Sequence, residues 1–253
     1  MVDALSRRRA SRQSAGCCRY DPRAARVPER RLVSPLEEKP TDEKTFEQYR
    51  EGLKQEGMRL ACFIRVFRLL HERRANRLEE LNIAPNFFQT VTNALFSAIV
   101  LWIDKLFAPD SQRGLYNFLK FVEHHRAIFS IEALKHRRGL PDDHWLLERA
   151  EPVEYGTVEA DREAIANFES LKSFRLRRDK FHAHFDKHFF FDRSRIDEEA
   201  PLTWSDLDKA MKLFKHILNR YSAAYDGEVF HVEPLNIDDL NYLLDRLHQT
   251  KPP

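Results

Sequence analysis

Ala94-Leu95-Phe96-Ser97-Ala98-Ile99-Val100-Leu101-Trp102-Ile103-Asp104-Lys105-Leu106-Phe107-Ala108-Pro109-Asp110 is the stretch on which the fold turns. From Ala94 to Ile103 it carries no charge, and at Asp104 the apolar run stops. These ten residues are too few to span a bilayer as a helix. The run therefore reads as the core helix of a soluble protein. Phe88, Val91, Leu95, Ile99, Trp102, Ile103 and Leu106 recur at helical spacing over a wide arc, which predicts the most buried element of the fold. Pro85 suits its first turn, and Ala108-Pro109-Asp110 ends it.

Working outward, Phe46, Tyr49, Leu53, Leu60, Phe63, Ile64, Phe67 and Leu70 predict a helix over roughly 42–80, with a break expected near Gly57. A further helix is expected from about Gly114 to His136, stopped by Gly139 and Pro141. Residues 141–157 read as irregular, with a turn around Trp145. A polar helix from about Val158 carries Ile165, Phe168, Leu171, Phe174, Leu176 and Phe181. Phe189-Phe190-Phe191 and an acidic loop follow it. Thr203 with Asp206 resembles a capping box for a helix over 204–225, whose inner stripe is Leu207, Met211, Phe214, Ile217, Leu218 and Tyr221. Val229 to Val232 reads as a short extended segment. Asn236 is expected to cap a last helix containing Leu240, Leu243, Leu244 and Leu247. With only seven glycines and little alternating β-branched sequence, the chain is expected to be all-α.

The net charge of +2 conceals an asymmetry. Residues 1–35 hold nine arginines against three acids, leaving 33 basic and 37 acidic residues in the remainder. The body is thus not a basic nucleic-acid-binding domain by bulk charge, and any such contact must come from a local patch. Residues 1–40 are too poor in large apolar residues to build a core and are expected to form a disordered basic arm. Residues 41–226 are expected to form the helical domain, and 227–253 a C-terminal extension with one helix. The three cysteines, two of them the adjacent Cys17-Cys18, cannot make a disulfide framework. A reducing, cytoplasmic setting is expected, with no membrane contact and no secretory signal.

Chemistry concentrates in Arg177-Arg178-Asp179-Lys180-Phe181-His182-Ala183-His184. An arginine offers a forked donor set suited to phosphate, and a histidine a proton donor or acceptor near neutral pH. At 100° per residue Arg178 shares a helical face with His182, and Arg177 with His184. Arg178 and His184 lie about 120° apart on the same wheel, so helical geometry does not choose the working pair.

Arg178-Asp179 followed by His184 is similar to the signature of the HEPN superfamily. The Arg-Asp-Lys-Phe-His-Ala-His-Phe-Asp run and the 94–110 helix resemble the abortive-infection AbiU-like branch of that superfamily, over approximately residues 42–225. The resemblance implies a four-to-five-helix bundle, dimerising so that two copies of the motif face each other across a cleft. It implies a metal-independent endoribonuclease with a phage-defence or toxin role. Arg178 would bind the scissile phosphate and His184 would act as general acid or base. Asp179 would hold Arg178 or the partner's histidine in place. Arg177 and His182 are further supporting candidates, although the family pattern requires neither His182 nor Lys180, which would add phosphate contacts or lie at the surface. An RNA substrate is implied, with an antitoxin or regulatory partner as a further expectation and no cofactor. On this reading Arg178→Ala and His184→Ala should each abolish cleavage and leave the fold intact.

Rival readings share these residues. A catalytically inactive HEPN module would bind RNA, a nucleotide or a partner protein through the same cleft. A helical scaffold or dimerisation protein would leave the cluster in open solvent. His182, His184, His188 and Asp192 invite a metal reading, but the intervening residues lack the glutamate of a zinc-protease helix. Of His124-His125, one ring is expected to pack and the other to face water. Trp102, Trp145 and Trp204 read as core or interface anchors. Asp104-Lys105 reads either as a partly buried polar pair or as an ordinary helix-end charge. No Gly-rich phosphate loop and no nucleophile elbow occurs.

Overall fold

The computed structural model describes residues 41–182, 186–232 and 239–249, and among these every regular element is helical. The basic arm over 1–40, the cap at Asn236 and His184 all lie outside the described residues.

Helix α1, Asp42–Arg73, starts where the Thr41 hydroxyl accepts from the Lys44 amide and where Asp42 and Glu43 meet the positive end of the helix dipole. It runs unbroken through Gly57. A Cβ at that position would stand 2.2 Å from the Phe214 ring. The glycine is there for close helix approach, not for a break. A single turn, α2 (Leu78–Leu81), leads to α3, Pro85–Phe107, which begins on Pro85 as expected and ends where Ala108 turns extended before Pro109.

At 23 residues α3 is longer than its uninterrupted apolar run, and by length and composition it would suffice to cross a membrane. Its inward face is instead packed on α1 and, further along the chain, on α8, Ser170–Arg177. Ile99, Val100 and Ile103 are fully buried.

The single helix expected from Gly114 to His136 is two: α4, Leu115–His124, and α5, Ile131–Arg138, joined by a tight 3₁₀ turn at Arg126–Phe129. The Ser130 hydroxyl accepts from the Ala133 amide at 3.1 Å and starts α5 afresh. Gly139 ends α5 in the left-handed conformation, φ 60°. The turn expected at Trp145 is the one-turn helix α6, Trp145–Glu148. The expected polar helix divides into α7, Tyr155–Ala166, and then α8. Short helices α9 (Lys187–Phe191) and α10 (Arg195–Glu199) precede α11, Trp204–Asp226.

The capping box of α11 is present in both halves: the Thr203 amide donates to Asp206, and the Asp206 amide to the Thr203 hydroxyl. The Val229–Val232 segment has no regular structure. Helix α12, Asp239–Gln249, packs on α2. Leu244 is fully buried beside Leu70, Leu81 and Phe88, and Arg73 donates to Asn241 at 2.8 Å.

The main core lies between α1, α3, α4, α8 and α11. Phe46 is its aromatic hub, meeting Phe129 edge-on at 4.9 Å and Tyr225 at 4.6 Å. Each such fully buried ring contributes on the order of 2–3 kcal/mol. This packing lays α8 along α3 and so sets the site described next.

Candidate functional site

α8 passes directly into a wider turn, Arg178–His182, with π-helical hydrogen bonding. Such turns depart from the 3.6-residue period and recur at functional sites. The turn packs on α3, which brings Arg178 to Asp104, 74 positions earlier.

Asp104 is 5% exposed. It lies on the buried face of α3 with Val100, Ile103 and Phe107. Arg178 Nη1 donates to Asp104 Oδ2, and Arg175 Nε lies 3.8 Å from the other carboxylate oxygen. The opposite edge of the Arg178 guanidinium is taken by Asp179 Oδ1, at 2.7 Å from Nε and 2.6 Å from Nη2. Asp179 is 44% exposed, so the two carboxylates differ in kind. Asp104 is a buried anchor, and Asp179 is an exposed group on the edge that would otherwise grip an anion side-on. Burial raises the Asp104 carboxyl above its usual range, and the charge and hydrogen bond of Arg178 pull it back only in part. Partial burial works against the Arg178 cation, but the Asp179 hydrogen bond and the Asp104 charge outweigh it and raise its pKa.

Lys105 is not the partner of Asp104. It sits over the Trp102 ring at 4.4 Å, and the Trp102 indole donates to Glu56. The signal that Asp104 matters was in the sequence: an acid in phase with three buried apolar residues has to find a partner. The identity of that partner was not.

Beside the pair lies a groove of about 410 Å³ that reaches Arg175 and Asp179. Phe107, Tyr116, Phe168 and Leu171 give it apolar walls, and Lys172 stands at its edge. No feature of the helical periodicity pointed to it.

The supporting residues go separate ways. Arg177 is 4% exposed and faces α10. Its Nε donates to the Ala200 carbonyl at 2.7 Å, and its Nη2 to the Ile196 carbonyl and to Asp197. Its guanidinium also lies 5.4 Å from the Phe96 ring centre. The His182 imidazole meets the same Phe96 ring edge-on at 5.9 Å. Burial and the Arg177 charge push its pKa down to about 4, so it is neutral at neutral pH. Lys180 pairs with Asp186 at 3.0 Å. The motif is therefore split, with Asp179 at the groove holding Arg178 beside it, and Arg177 and His182 both against the Phe96 ring.

His188 pairs with Glu199 at 3.0 Å and accepts from Arg195. Among the described residues no group of three or more His, Cys, Asp or Glu side chains is placed to hold a metal ion. His125 stacks on Phe121 at 4.4 Å and pairs with Asp42, while His124 bonds its own helix at the Lys120 carbonyl. Trp145 is not a core residue: it is 58% exposed.

Comparison with known proteins agrees with this architecture. No curated protein and no solved structure matches the chain. The family model described as AbiU2, the HEPN_AbiU2 family, matches residues 43–245, from the first turn of α1 into α12 and across the whole Arg178 motif. The chain belongs to the AbiU2 family of HEPN domains.

Proposed function

We propose that the protein is a metal-independent endoribonuclease of an abortive-infection system, acting as a homodimer through Arg178 and His184. The observation that carries this reading is the mounting of Arg178. One edge of its guanidinium is fixed on a buried carboxylate of α3, and the other faces an exposed carboxylate beside a groove. An arginine fixed on one edge is pre-organised to meet a phosphate on the other.

In the reaction the ribose 2′-oxygen bonds to the adjacent phosphorus and gives up its proton to a base. The bond from phosphorus to the 5′-oxygen breaks, and that oxygen takes a proton as it leaves. The products are a 2′,3′-cyclic phosphate and a 5′-hydroxyl. Arg178 would exchange Asp179 for the phosphate, donating to its oxygens and stabilising the charge that grows there. His184 would carry the proton as general acid or base. His182, neutral and half-buried against Phe96, is suited to support the turn and not to exchange protons.

The same geometry favours a second reading. With Asp104 and Asp179 both on Arg178, two carboxylates already answer the one cation, as they would in an inactive HEPN module that binds RNA, a nucleotide or a partner through the groove. One experiment separates the two: RNA cleavage in excess EDTA by wild type, Arg178→Lys and His184→Ala, with analysis of the product ends. Cleavage that persists in EDTA, yields cyclic phosphate and is lost in both variants supports the nuclease. A folded wild type that leaves RNA intact supports the binding module.

A further inference from the structure

A second, larger groove of about 820 Å³ lies between α6, the segment after it, and the C-terminal half of α11. Its floor is apolar, with Val153 and Ala224 buried. Its rim is not. Lys212, His216 and Arg220 follow one another four residues apart on one face of α11, with Lys215 beside them. That row runs about 12 Å along the helix axis. Arg149 faces it from the other wall, 5.7 Å from the Trp145 ring centre.

Arg149, Lys212, Lys215 and Arg220 line this groove against a single acid, Glu151, in a chain whose residues after 35 carry more acids than bases. Concave apolar walls concentrate such a field. Arg220 is held in place from below: Asp161, 2% exposed, accepts from it at 2.7 Å and from the Tyr221 hydroxyl at 2.7 Å. Arg220 in turn donates to His216.

A row of cations beside an exposed indole is what a single nucleic-acid strand requires, phosphates on the row and a base on the ring. A lone phosphate needs no row of this length. An acidic peptide supplies charges for the row but no ring at each repeat to match Trp145. A duplex hides its base faces within the stack. Helix α7 lines both grooves. Thr157 is in this one, and Ile165 and Ala166 are in the groove beside Asp179, about 12 Å further along the helix.

We propose that this groove binds single-stranded RNA, with a base stacked on Trp145 and the backbone along Lys212, Lys215 and Arg149. The proposal rests on RNA being the ligand of this protein, and not on its cleavage.

The test is binding of a short fluorescein-labelled 2′-O-methyl oligouridine, which has no free 2′-hydroxyl to attack, followed by anisotropy over a range of salt. Wild type, Trp145→Ala and Lys212→Glu/Lys215→Glu proteins are compared, their folding checked by circular dichroism. Trp145→Ala is expected to weaken binding about 10-fold. The double lysine variant should weaken it further and flatten the salt dependence by about two charges.

Unchanged affinity in both groove variants overturns the proposal. So does displacement of the RNA by polyglutamate or by uridine monophosphate at equal concentration, which would make the groove a peptide or free-nucleotide site. Cleavage that ignores the groove variants, with binding unchanged, would sink this proposal and leave the nuclease standing. Groove-dependent binding without any cleavage would do the reverse.

Discussion

Arg177 and Arg178 are neighbours in the chain and opposites in the fold. Arg177 is only 4% exposed and spends its donors on two backbone carbonyls and Asp197, tying α10 to the end of α8. Arg178 holds one buried carboxylate, and its other edge is met by the exposed Asp179, which lines a groove. One turn of helix thus carries a strut on one side and a candidate reactive cation on the other. The difference is one of partners: carbonyls bound by a buried cation cannot be re-solvated, whereas an exposed carboxylate can be exchanged for a phosphate.

The largest effect should fall on Arg178. Arg178→Lys keeps a charge but loses the fork, and single-turnover cleavage is expected to fall about 10²- to 10³-fold. Near wild-type cleavage by this variant would erase the functional half of the contrast. Alanine is a poorer probe than the sequence alone indicated, because it leaves the buried Asp104 with only the longer 3.8 Å contact to Arg175. Part of any Arg178→Ala defect would be lost stability, not lost chemistry.

Arg177→Ala should act on folding instead, costing about 3 kcal/mol in urea denaturation as the Ile196 and Ala200 carbonyls lose a charged donor. A variant that unfolds at the wild-type midpoint would show that Arg177 is no strut.

His182 sharpens the comparison through pH. Its folded pKa, about 4, lies below the ordinary imidazole value. Stability is therefore fully present above pH 6.5 and falls as the pH drops toward 4, because the unfolded chain takes up a proton that the folded one refuses. The loss should be about 2 kcal/mol and should be missing in His182→Gln. Asp104, with its carboxyl raised, works in the opposite sense, so the difference between the two proteins isolates the imidazole. Equal pH profiles would remove His182 from the buried side of the turn.

The smallest effect is expected at Asp179. Asp179→Asn weakens the internal competitor for the Arg178 edge, and an uncleavable dinucleotide should bind about 5-fold more tightly. Weaker binding would make Asp179 a positioning group and not a placeholder.

Much of the helical framework was legible along the chain. The cap at Thr203 and Asp206, the stop at Gly139, the start at Pro85 and the inward stripe of α11 all depend on groups within a few residues of one another. Gly57 misled because a glycine's local cost says nothing of a Phe214 ring 157 positions away that needs the space. The 114–136 region misled because Ser130 is an ordinary cap in an otherwise continuous apolar pattern.

The candidate site divides along the same line. That an arginine near residue 178 is a site candidate, and that an acid at 104 sits in phase with a buried face, can be read from types and spacing. Which of two adjacent arginines meets that acid depends on how α8 crosses α3, and on a π-helical turn that no 3.6-residue wheel contains. By itself the sequence determined an all-helical chain, its inward faces and the residues able to handle a phosphate, because periodicity and capping are short-range physics. Only the tertiary structure decided that Arg178 is mounted on Asp104, that Arg177 and His182 meet at Phe96, and that Trp145 stands beside a row of cations. Those pairings are made by packing between helices far apart in the chain, where a shift of one side chain exchanges a strut for a site.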